Sequence, residues 1–231
     1  MAAIHLIGGE KGGVGKSVMA RLLAQFMIDN GIPFIGFDTD RSHASFLRFY
    51  KDYASPAIID DYQSLDKIFE AALADPDRRV VVDLAAQTHF PLSRWIDDSG
   101  VLDLVNELDM KITYWNVMDS GKDSVDLLGK LLDQFSYRLN YVLVMNQLRD
   151  SDFNAFEFSG LKERALDLNA KVMVLKRLHA PVMSKIDMHN LSFWAAKNKP
   201  AEGPGNLGML ERQRIKVWLR QAYDELSTIQ P

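Results

Sequence analysis

The residues best suited to chemistry lie near the start of the chain, at positions 8–17, which read Gly-Gly-Glu-Lys-Gly-Gly-Val-Gly-Lys-Ser. An apolar run at positions 3–7 precedes them, and a helical pattern follows from Ser17 to about Asn30. A strand, a glycine-rich turn and a helix in this order are the context that a phosphate-binding loop requires. This segment is therefore predicted to bind phosphate groups.

The residue types within the loop suit that chemistry. Gly12, Gly13 and Gly15 have no Cβ atom, so the backbone can turn its N–H groups towards phosphate oxygens. Lys16 would place a positive charge at the β- and γ-phosphates, and the Ser17 hydroxyl would bind Mg²⁺. We expect the nucleotide-binding residues of the loop to be Gly12, Gly13, Val14, Gly15, Lys16, Ser17 and Val18.

The loop departs from the standard pattern G-x-x-x-x-G-K-[ST], because Glu10 stands where that pattern has its first glycine and a second lysine, Lys11, follows. Residues 11–17, Lys-Gly-Gly-Val-Gly-Lys-Ser, resemble the deviant Walker A loop K-G-G-x-G-K-[ST] of the ParA/MinD family of ATPases. From the residues alone, a glycine-rich turn with two solvated lysines stays open as the alternative.

The resemblance implies a P-loop nucleotide-binding fold, ATP or ADP with Mg²⁺ as cofactors, and a homodimer that forms when ATP binds. In the ParA/MinD family the additional lysine reaches across the dimer to the phosphates of the partner's nucleotide. The resemblance therefore implies a catalytic role in trans for Lys11, beside the role of Lys16 in its own chain.

Apolar runs of strand length alternate with helical patterns, which predicts an α/β fold: a mostly parallel sheet with helices on both faces. At this length we expect a single P-loop ATPase domain over residues 1–231. Strands are predicted at residues 3–7, 34–37, 57–59, 80–82, 111–117, 141–145 and 171–175. Helices are predicted at residues 17–30, 42–50, 65–73, 124–135, 158–168, 180–197 and 207–229, with a loop at 199–205.

Two aspartates, Asp38 and Asp40, end the second predicted strand. Carboxylates at the carboxyl end of a parallel strand lie where such sheets bind ligands, and they could hold hydrated Mg²⁺ or orient an attacking water. The ParA/MinD family has D-x-D in its switch I segment at this place, usually followed by Pro-Gln, whereas this chain has Arg41-Ser42. The resemblance implies catalytic roles for both aspartates, with Asp40 preferred as the partner of the water and as a metal ligand. Polar strand-end residues without a role remain the alternative.

A third acid, Asp83, ends the β-branched run at residues 80–82, as in a Walker B segment. We expect it to hold Mg²⁺ together with Ser17. Small residues follow it at Ala85 and Ala86, which would let a switch II backbone approach a γ-phosphate. Gln87 could orient water, although a surface position explains its polarity equally well.

Asn146 follows the predicted strand at residues 141–145. In ParA/MinD-like proteins an asparagine here hydrogen-bonds the adenine base, and an amide offers the base one donor and one acceptor. The guanine-reading pattern N-K-x-D is absent, because Gln147 and Leu148 follow. Together these residues favour ATP over GTP.

Composition excludes several classes of function. The chain has no cysteine, which rules out disulfides, thiolate metal sites and the cluster-binding relatives of the family. The five histidines lack the spacing of a metal site, and His5 is expected in the core.

With a formal net charge of −4, no global attraction to DNA is expected, although a local basic patch could bind it. No apolar run reaches about 18 residues and no signal peptide precedes the first strand, so we expect a cytoplasmic protein without an N-terminal DNA-binding extension.

The last predicted helix has an apolar stripe and basic residues near its start, which leaves three interpretations. The stripe could lie on a membrane, or the basic residues could bind DNA non-specifically. The favoured interpretation is that the stripe packs on the sheet. The stripe consists of Ile215, Trp218, Leu219, Ala222, Tyr223, Leu226 and Ile229.

Taken together, the sequence predicts a ParA/MinD-type ATPase that dimerises on ATP and whose Mg²⁺-dependent hydrolysis is slow and stimulated by a partner. Its task would be to partition or position a plasmid, DNA or a protein complex, with a protein activator or cargo adaptor as a further partner; membrane association is less expected than DNA binding. One alternative is a non-hydrolysing adaptor of a secretion or conjugation system, which the altered switch I keeps open. The other is an ATP-dependent ligase of the same superfamily, against which Lys11 speaks.

Overall fold

The computed structural model describes residues 2–199 and 207–231. The loop predicted at residues 199–205 lies, after Lys199, outside the described residues. Among the helices described, none combines the length and the apolar character needed to cross a membrane.

Seven parallel strands form one sheet in the order β3-β2-β4-β1-β5-β6-β7. The predicted α/β fold with a parallel sheet is thereby confirmed. The strands are β1 (Ala3–Gly8), β2 (Phe34–Asp38), β3 (Ala54–Pro56), β4 (Arg79–Asp83), β5 (Lys111–Met118), β6 (Asn140–Asn146) and β7 (Lys171–Leu175).

The helices of the described part connect the strands and close the chain. They are α1 (Lys16–Asp29), α2 (Ser45–Phe49), α3 (Tyr62–Leu73), α4 (His89–Asp98), α5 (Val101–Glu107), α6 (Lys122–Phe135), α7 (Asn154–Glu157), α8 (Leu161–Asp167), α9 (Ala180–Met188), α10 (Phe193–Asn198) and α11 (Met209–Ile229), with a 3-10 turn at Ser136–Arg138.

Two apolar cores lie on opposite faces of the sheet, because alternate strand residues point to opposite sides. Leu6 and Val82 belong to the core that α3 to α8 cover, whereas Ile7 and Val81 belong to the core that α1, α2, α9, α10 and α11 cover. Strands buried on both faces explain the continuous apolar runs in the sequence.

The predicted strand at residues 57–59 was misplaced, since β3 lies at Ala54–Pro56. Residues Gly36 and Phe37 of β2 pair with Ala54 and Ser55, and the sheet ends as the Ala57 amide bonds to the Asp38 carbonyl at 2.9 Å. At this edge, backbone pairing with β2 sets the register. Residues 57–59 were chosen for their apolar side chains, but Ala57 comes after the last residue of β3 and its side chain packs in the core.

Helices α4 and α5 were missing from the sequence prediction. Their buried residues recur at helical spacing, so the signal was present in the sequence. They are Leu92, Trp95 and Ile96 in α4, and Val101, Leu102 and Val105 in α5.

Other boundaries shifted where the chain turns. The helix predicted at 158–168 begins only at Leu161, after Gly160 with its positive φ of 74°. The segment 180–197 divides into α9 and α10, because Asn190 adopts a positive φ and the Ser192 hydroxyl caps α10 by accepting the Ala195 amide.

The apolar stripe of α11 packs in the core, as the favoured interpretation predicted. Ile215, Leu219 and Leu226 are buried, and the Trp218 indole donates to the Lys176 carbonyl at 2.6 Å. This face of α11 is covered by the chain itself and is not available to a membrane.

His5 is also a core residue, as expected. The Trp115 indole N–H donates to His5 Nδ1 at 3.2 Å. Burial, with a contribution from the charge of Arg79, lowers the pKa of His5 to about 3.

Candidate functional site

The glycine-rich loop lies between β1 and α1, at the carboxyl ends of the central strands. Strands β4 and β5 flank β1 in the sheet, so the residues that end them meet at one edge. Asp38 ends β2, Asp83 ends β4 and Asn146 ends β6. The topology therefore brings these predicted site residues to the edge where parallel sheets bind ligands.

Glycine is required at the last turn of the loop. Gly15 has a φ of 98°, and a Cβ atom there would lie 2.2 Å from the amide nitrogen of Asn146. The same Asn146 nitrogen donates to the Val14 carbonyl at 2.7 Å, and the side chain is buried. Asn146 thus stabilises the loop through its contacts with Val14 and Gly15. The contact of Asn146 with adenine stays a prediction.

Lys16 lies inside the loop. Its ammonium donates to the Gly9 carbonyl at 2.8 Å and to the Lys11 carbonyl at 3.1 Å. Burial lowers the pKa of Lys16, while the nearby charges of Asp83, Glu10 and Asp40 raise it. The nearby carboxylates keep Lys16 protonated, and an ammonium held in place by backbone carbonyls can bind an anionic group.

Asp83 is the least satisfied acid of the site. Both of its carboxylate oxygens are buried and lack a hydrogen-bond partner of normal geometry among the described residues. Burial, with the charge of Asp38, raises the pKa of Asp83 to about 8, against the opposing effects of the Ser17 hydroxyl and Lys16. An unpaired buried carboxylate needs a cation or a proton.

The residues present fit Mg²⁺. Ser17 and Asp83 offer oxygen atoms, which Mg²⁺ prefers, and the described residues contain no cluster of three or more acids or histidines that would form an all-protein cage. Mg²⁺ is usually held by one or two protein oxygens together with water and substrate phosphates. Ser17 and Asp83 could supply those ligands.

Asp38 and Asp40, which the sequence treats alike, differ in their surroundings. Asp38 accepts the backbone amides of Asp40 at 2.9 Å and of Leu47 at 3.0 Å, one with each oxygen. Burial raises the pKa of Asp38, and these amides oppose the rise. Asp38 therefore fixes the path from β2 to α2.

Asp40, in contrast, borders the cavity beside the loop. One of its oxygens accepts the amides of Ser42 at 2.8 Å and His43 at 3.1 Å, and the other lies 3.5 Å from His43 Nδ1. The cavity has a volume of about 350 Å³ and is lined by Gly12, Gly13, Gly15, Lys16, Ser17, Val18, Asp40, His43, Leu84, Ala85 and Ala86.

Thr39 joins the two predicted switch segments, a role that the sequence analysis missed. Its hydroxyl donates to the Asp83 carbonyl at 3.1 Å and accepts the Ala85 amide at 2.9 Å. A threonine between two functional aspartates was the available signal, since a hydroxyl can both donate and accept.

Lys11 is paired within its own chain. Its ammonium lies 3.1 Å from Asp119 Oδ2 and 3.8 Å from Asp123 Oδ2. Asp119 follows the end of β5 directly and also accepts the Ser124 hydroxyl at 2.6 Å. Asp119 was not among the site residues predicted from the sequence, where its signal was its position directly after a central strand.

Glu10 stands where the standard pattern has its first glycine. Its side chain interacts with Thr88 and His89 at the start of α4. Burial raises the pKa of Glu10, while His89, the Thr88 amide and Lys16 lower it. The substituted position thus links the loop to the segment that follows Asp83.

The chain matches no protein-family model. In sequence it is similar to the protein TraL of Escherichia coli, with 25% identity over 98% of each chain. It is also similar to the protein MobD of Acidithiobacillus ferrooxidans, with 27% identity over 57% of this chain and 58% of that protein.

Solved structures show the same fold. The cell division ATPase MinD of Pyrococcus furiosus superposes with a TM-score of 0.58 and 16% identity, over 99% of this chain and 100% of that chain. A nucleotide-binding protein of Archaeoglobus fulgidus in complex with ADP gives a TM-score of 0.53 and 13% identity, over 84% of this chain and 88% of that chain. The chain therefore has a ParA/MinD-like P-loop fold, as the loop sequence predicted.

Proposed function

We propose that the protein is an ATP-dependent dimerising ATPase switch of the ParA/MinD type, which partitions or positions a plasmid, DNA or a protein complex. The observation that carries the proposal is the buried Asp83 carboxylate beside Ser17 and Lys16, for which the described residues supply no hydrogen bond of normal geometry. A stable chain keeps such a costly group where a bound cation compensates it.

The residues divide the work as follows. The amides of Gly13, Val14 and Gly15 would surround the phosphates, and Lys16 would bind them with its charge. Ser17 and Asp83 would hold Mg²⁺, which would neutralise charge on the phosphates. Asp40, beside the cavity, would orient the attacking water.

Thr39 gives the switch a physical basis. Its hydroxyl ties the Asp38–Asp40 segment to Ala85, so a phosphate that attracts the backbone of one segment also moves the other. Asp38 extends this coupling to α2 through the Leu47 amide. Ordering of both segments by a γ-phosphate would distinguish the ATP form from the ADP form.

A non-hydrolysing nucleotide-binding adaptor is the second candidate. The observation that favours it is that Asp40 Oδ1 already accepts two amides, from Ser42 and His43, in a segment where Arg41 and Ser42 replace the Pro-Gln of the family. Such an adaptor would bind ATP and dock a partner without turnover.

One set of measurements separates the candidates. ATP turnover is measured with and without DNA, and the Asp40→Ala variant is sized by light scattering with ATP. The proposed switch hydrolyses ATP slowly, and Asp40→Ala keeps the ATP dimer without turnover. An adaptor binds ATP with no turnover in the natural chain. A ligase of the superfamily would turn over only with a carboxylate substrate and without a change in size.

The two lysines of the loop make the first testable prediction. Lys16→Ala should abolish ATP binding, because it removes the only charge buried inside the loop among the described residues. Lys11→Ala should keep ATP affinity within about threefold and lose ATP-dependent dimerisation, since its role is in trans. Isothermal titration and light scattering measure both.

Lys67→Ala, on the exposed face of α3, is the control for loss of a lysine. Equal ATP-dependent dimerisation in Lys11→Ala and the natural chain would contradict the trans role. A natural chain that neither binds ATP nor changes its oligomeric state would sink the proposed function itself.

A further inference from the structure

A small charge cluster lies on the β5 side of the phosphate loop, opposite the Asp83 side. Asp119 is its centre: Lys11 lies 3.1 Å from Asp119 Oδ2, and Arg149 Nη1 lies 3.8 Å from the same oxygen. Asp123 adds a longer contact to Lys11 at 3.8 Å from an exposed position on α6.

Asp119 is held rigidly. It is buried, and its Oδ1 atom accepts the Ser124 hydroxyl at 2.6 Å and the Gly121 amide at 3.2 Å. Although burial acts to raise the pKa of Asp119, the Ser124 hydroxyl and Lys11 lower it below its usual value. The Asp119 carboxylate is therefore an anion held in place by its own chain, with which Lys11 forms an ion pair.

Lys11 is the more exposed partner of this ion pair. Its side chain is one quarter exposed, so it lies at the surface of the loop with its ammonium drawn inward to Asp119. A lysine bound in this way has to leave Asp119 before its ammonium can reach a phosphate on another molecule. The Asp119 carboxylate and that phosphate therefore compete for the Lys11 ammonium.

We propose that Asp119 is a positioning residue that retains Lys11 in its own chain, so that ATP-dependent dimerisation exchanges the Lys11–Asp119 ion pair for a pair with the phosphates of the partner's nucleotide. The inference rests on the proposed function. As a consequence, dimerisation requires a threshold concentration of nucleotide, because the phosphates must compete with Asp119 for Lys11. Arg149, which lies against the loop at Gly13, remains on Asp119 as a counter-ion when Lys11 leaves.

The first test is a matched pair of variants, Asp119→Asn and Asp123→Asn. Asparagine at 119 keeps an acceptor for Ser124 and Gly121 and removes only the charge. We expect Asp119→Asn to lower the concentration of the slowly hydrolysed analogue AMP-PNP needed for half-maximal dimerisation by about threefold to tenfold, the range of a partly buried charged pair. Asp123→Asn, with its long and exposed contact, should shift it by less than about twofold.

The second readout needs no dimer. Acetylation of Lys11 by an N-hydroxysuccinimide ester, followed by peptide mass spectrometry without nucleotide, reports how firmly the ammonium is held. We expect Lys11 to react faster in Asp119→Asn than in the natural chain, with exposed Lys67 on α3 as the internal reference. A purely structural effect of the substitution would not raise the reactivity of Lys11 alone.

The outcomes are distinct. If the natural chain dimerises with AMP-PNP and Asp119→Asn matches it in both dimerisation and Lys11 reactivity, the inference is wrong and the proposed function stands. If the natural chain does not dimerise at saturating AMP-PNP, both the inference and the proposed function are wrong. Thermal unfolding checks that Asp119→Asn is folded; if it is not, Asp119→Ser, which keeps a hydroxyl acceptor for Gly121, is measured in its place with the same criteria.

Discussion

Three aspartates lie at the ends of the neighbouring strands β2 and β4. Their hydrogen-bond partners, and not their residue type, determine whether each carboxylate stabilises the backbone or is left to bind a cation. Asp38 has both oxygens bonded to backbone amides, Asp40 has one such oxygen and borders the cavity, and Asp83 has none within the described part of the chain. A satisfied carboxylate stabilises the backbone around it, whereas an unsatisfied buried one destabilises the chain until a cation binds.

The contrast between Asp83 and Asp38 makes a prediction of opposite sign for the same substitution. Asp83→Asn should raise the free energy of unfolding at pH 7 by about 1–3 kcal/mol, because burial raises the pKa of Asp83 to about 8 and the folded chain must bind a proton there, whereas asparagine is neutral without one. Asp38→Asn should lower it by about 1–3 kcal/mol, since an amide can accept only one of the two backbone N–H groups. Urea unfolding without nucleotide or metal measures both.

If Mg²⁺ with ATP binds as proposed, Asp83→Asn should also lose the stabilisation that they would confer on the natural chain. Destabilisation by both asparagine substitutions would contradict the assignment of Asp83 as an uncompensated buried carboxyl group. Similar changes of the same sign would mean that the two aspartates are equivalent after all.

His5 gives a prediction for pH. Its pKa is about 3 in the folded chain and about 6.5 when exposed, so the unfolded chain binds one more proton between these values. The free energy of unfolding should therefore fall with decreasing pH, by about 1.4 kcal/mol per pH unit from this group below pH 6. Stability is retained above about pH 6.5, where His5 is neutral in both states.

The measurement is urea unfolding at pH 7, 6 and 5 in the natural chain and in His5→Gln. Subtracting the two isolates the contribution of His5 from the acids that titrate in the same range. Parallel pH curves in the two proteins would show that His5 is not buried as a neutral group.

At the scale of elements, the loop between β1 and α1 depends on its support from β6. The Asn146 side chain reaches from the end of β6 to the Val14 carbonyl and fills the space beside Gly15. The conformation of the loop is thus determined by its own glycines and by a strand that follows more than a hundred residues later in the chain.

A pair of glycine substitutions tests this arrangement. Gly15→Ala should lower the free energy of unfolding by about 1–3 kcal/mol or more, since φ there is 98° and the new methyl group would collide with Asn146. Gly12→Ala should change it by less than about 1 kcal/mol, because no atom lies within 4 Å of a Cβ at that position. Denaturant unfolding measures both, and equal losses would show that Asn146 does not pack against the loop.

At the scale of the whole molecule, two cores on opposite faces of the sheet share one set of strands. Helix α1, which begins in the loop, lies in the core that α11 completes. Arg21 of α1 connects this side further: it pairs with Asp187 of α9 at 2.8 Å and lies over the Phe49 ring at 3.6 Å. Packing that begins at the loop before α1 therefore extends to the last helix.

Two tryptophans test whether α11 belongs to the core. Trp218→Ala should cost about 3–5 kcal/mol of unfolding free energy, because the buried side chain and its bond to Lys176 are lost. Trp194→Ala, at a side chain that is about half exposed, should cost no more than about 1 kcal/mol. Two results together would instead favour the interpretation that the apolar stripe of α11 lies on a membrane. They are equal stability of Trp218→Ala and Trp194→Ala, and sedimentation of the natural chain with anionic liposomes.

The sequence by itself determined the fold class and indicated the loop that we propose to bind phosphate. Local patterns carry both: runs of β-branched residues predict buried parallel strands, and a glycine-rich turn before a helix needs no distant residue to be identified. It also placed Asp38, Asp83 and Asn146 at strand ends, where a parallel sheet brings them to one edge.

Only the tertiary structure decided what these residues contact. Lys11 and Asp119 are 108 positions apart, and Asn146 and Val14 are 132 positions apart, so no local pattern could pair them. The different surroundings of Asp38 and Asp83, and the choice between core and membrane for α11, likewise depend on which groups packing brings within a few ångströms. Local patterns encode backbone conformation, whereas charge compensation and burial arise only from contacts between distant parts of the chain.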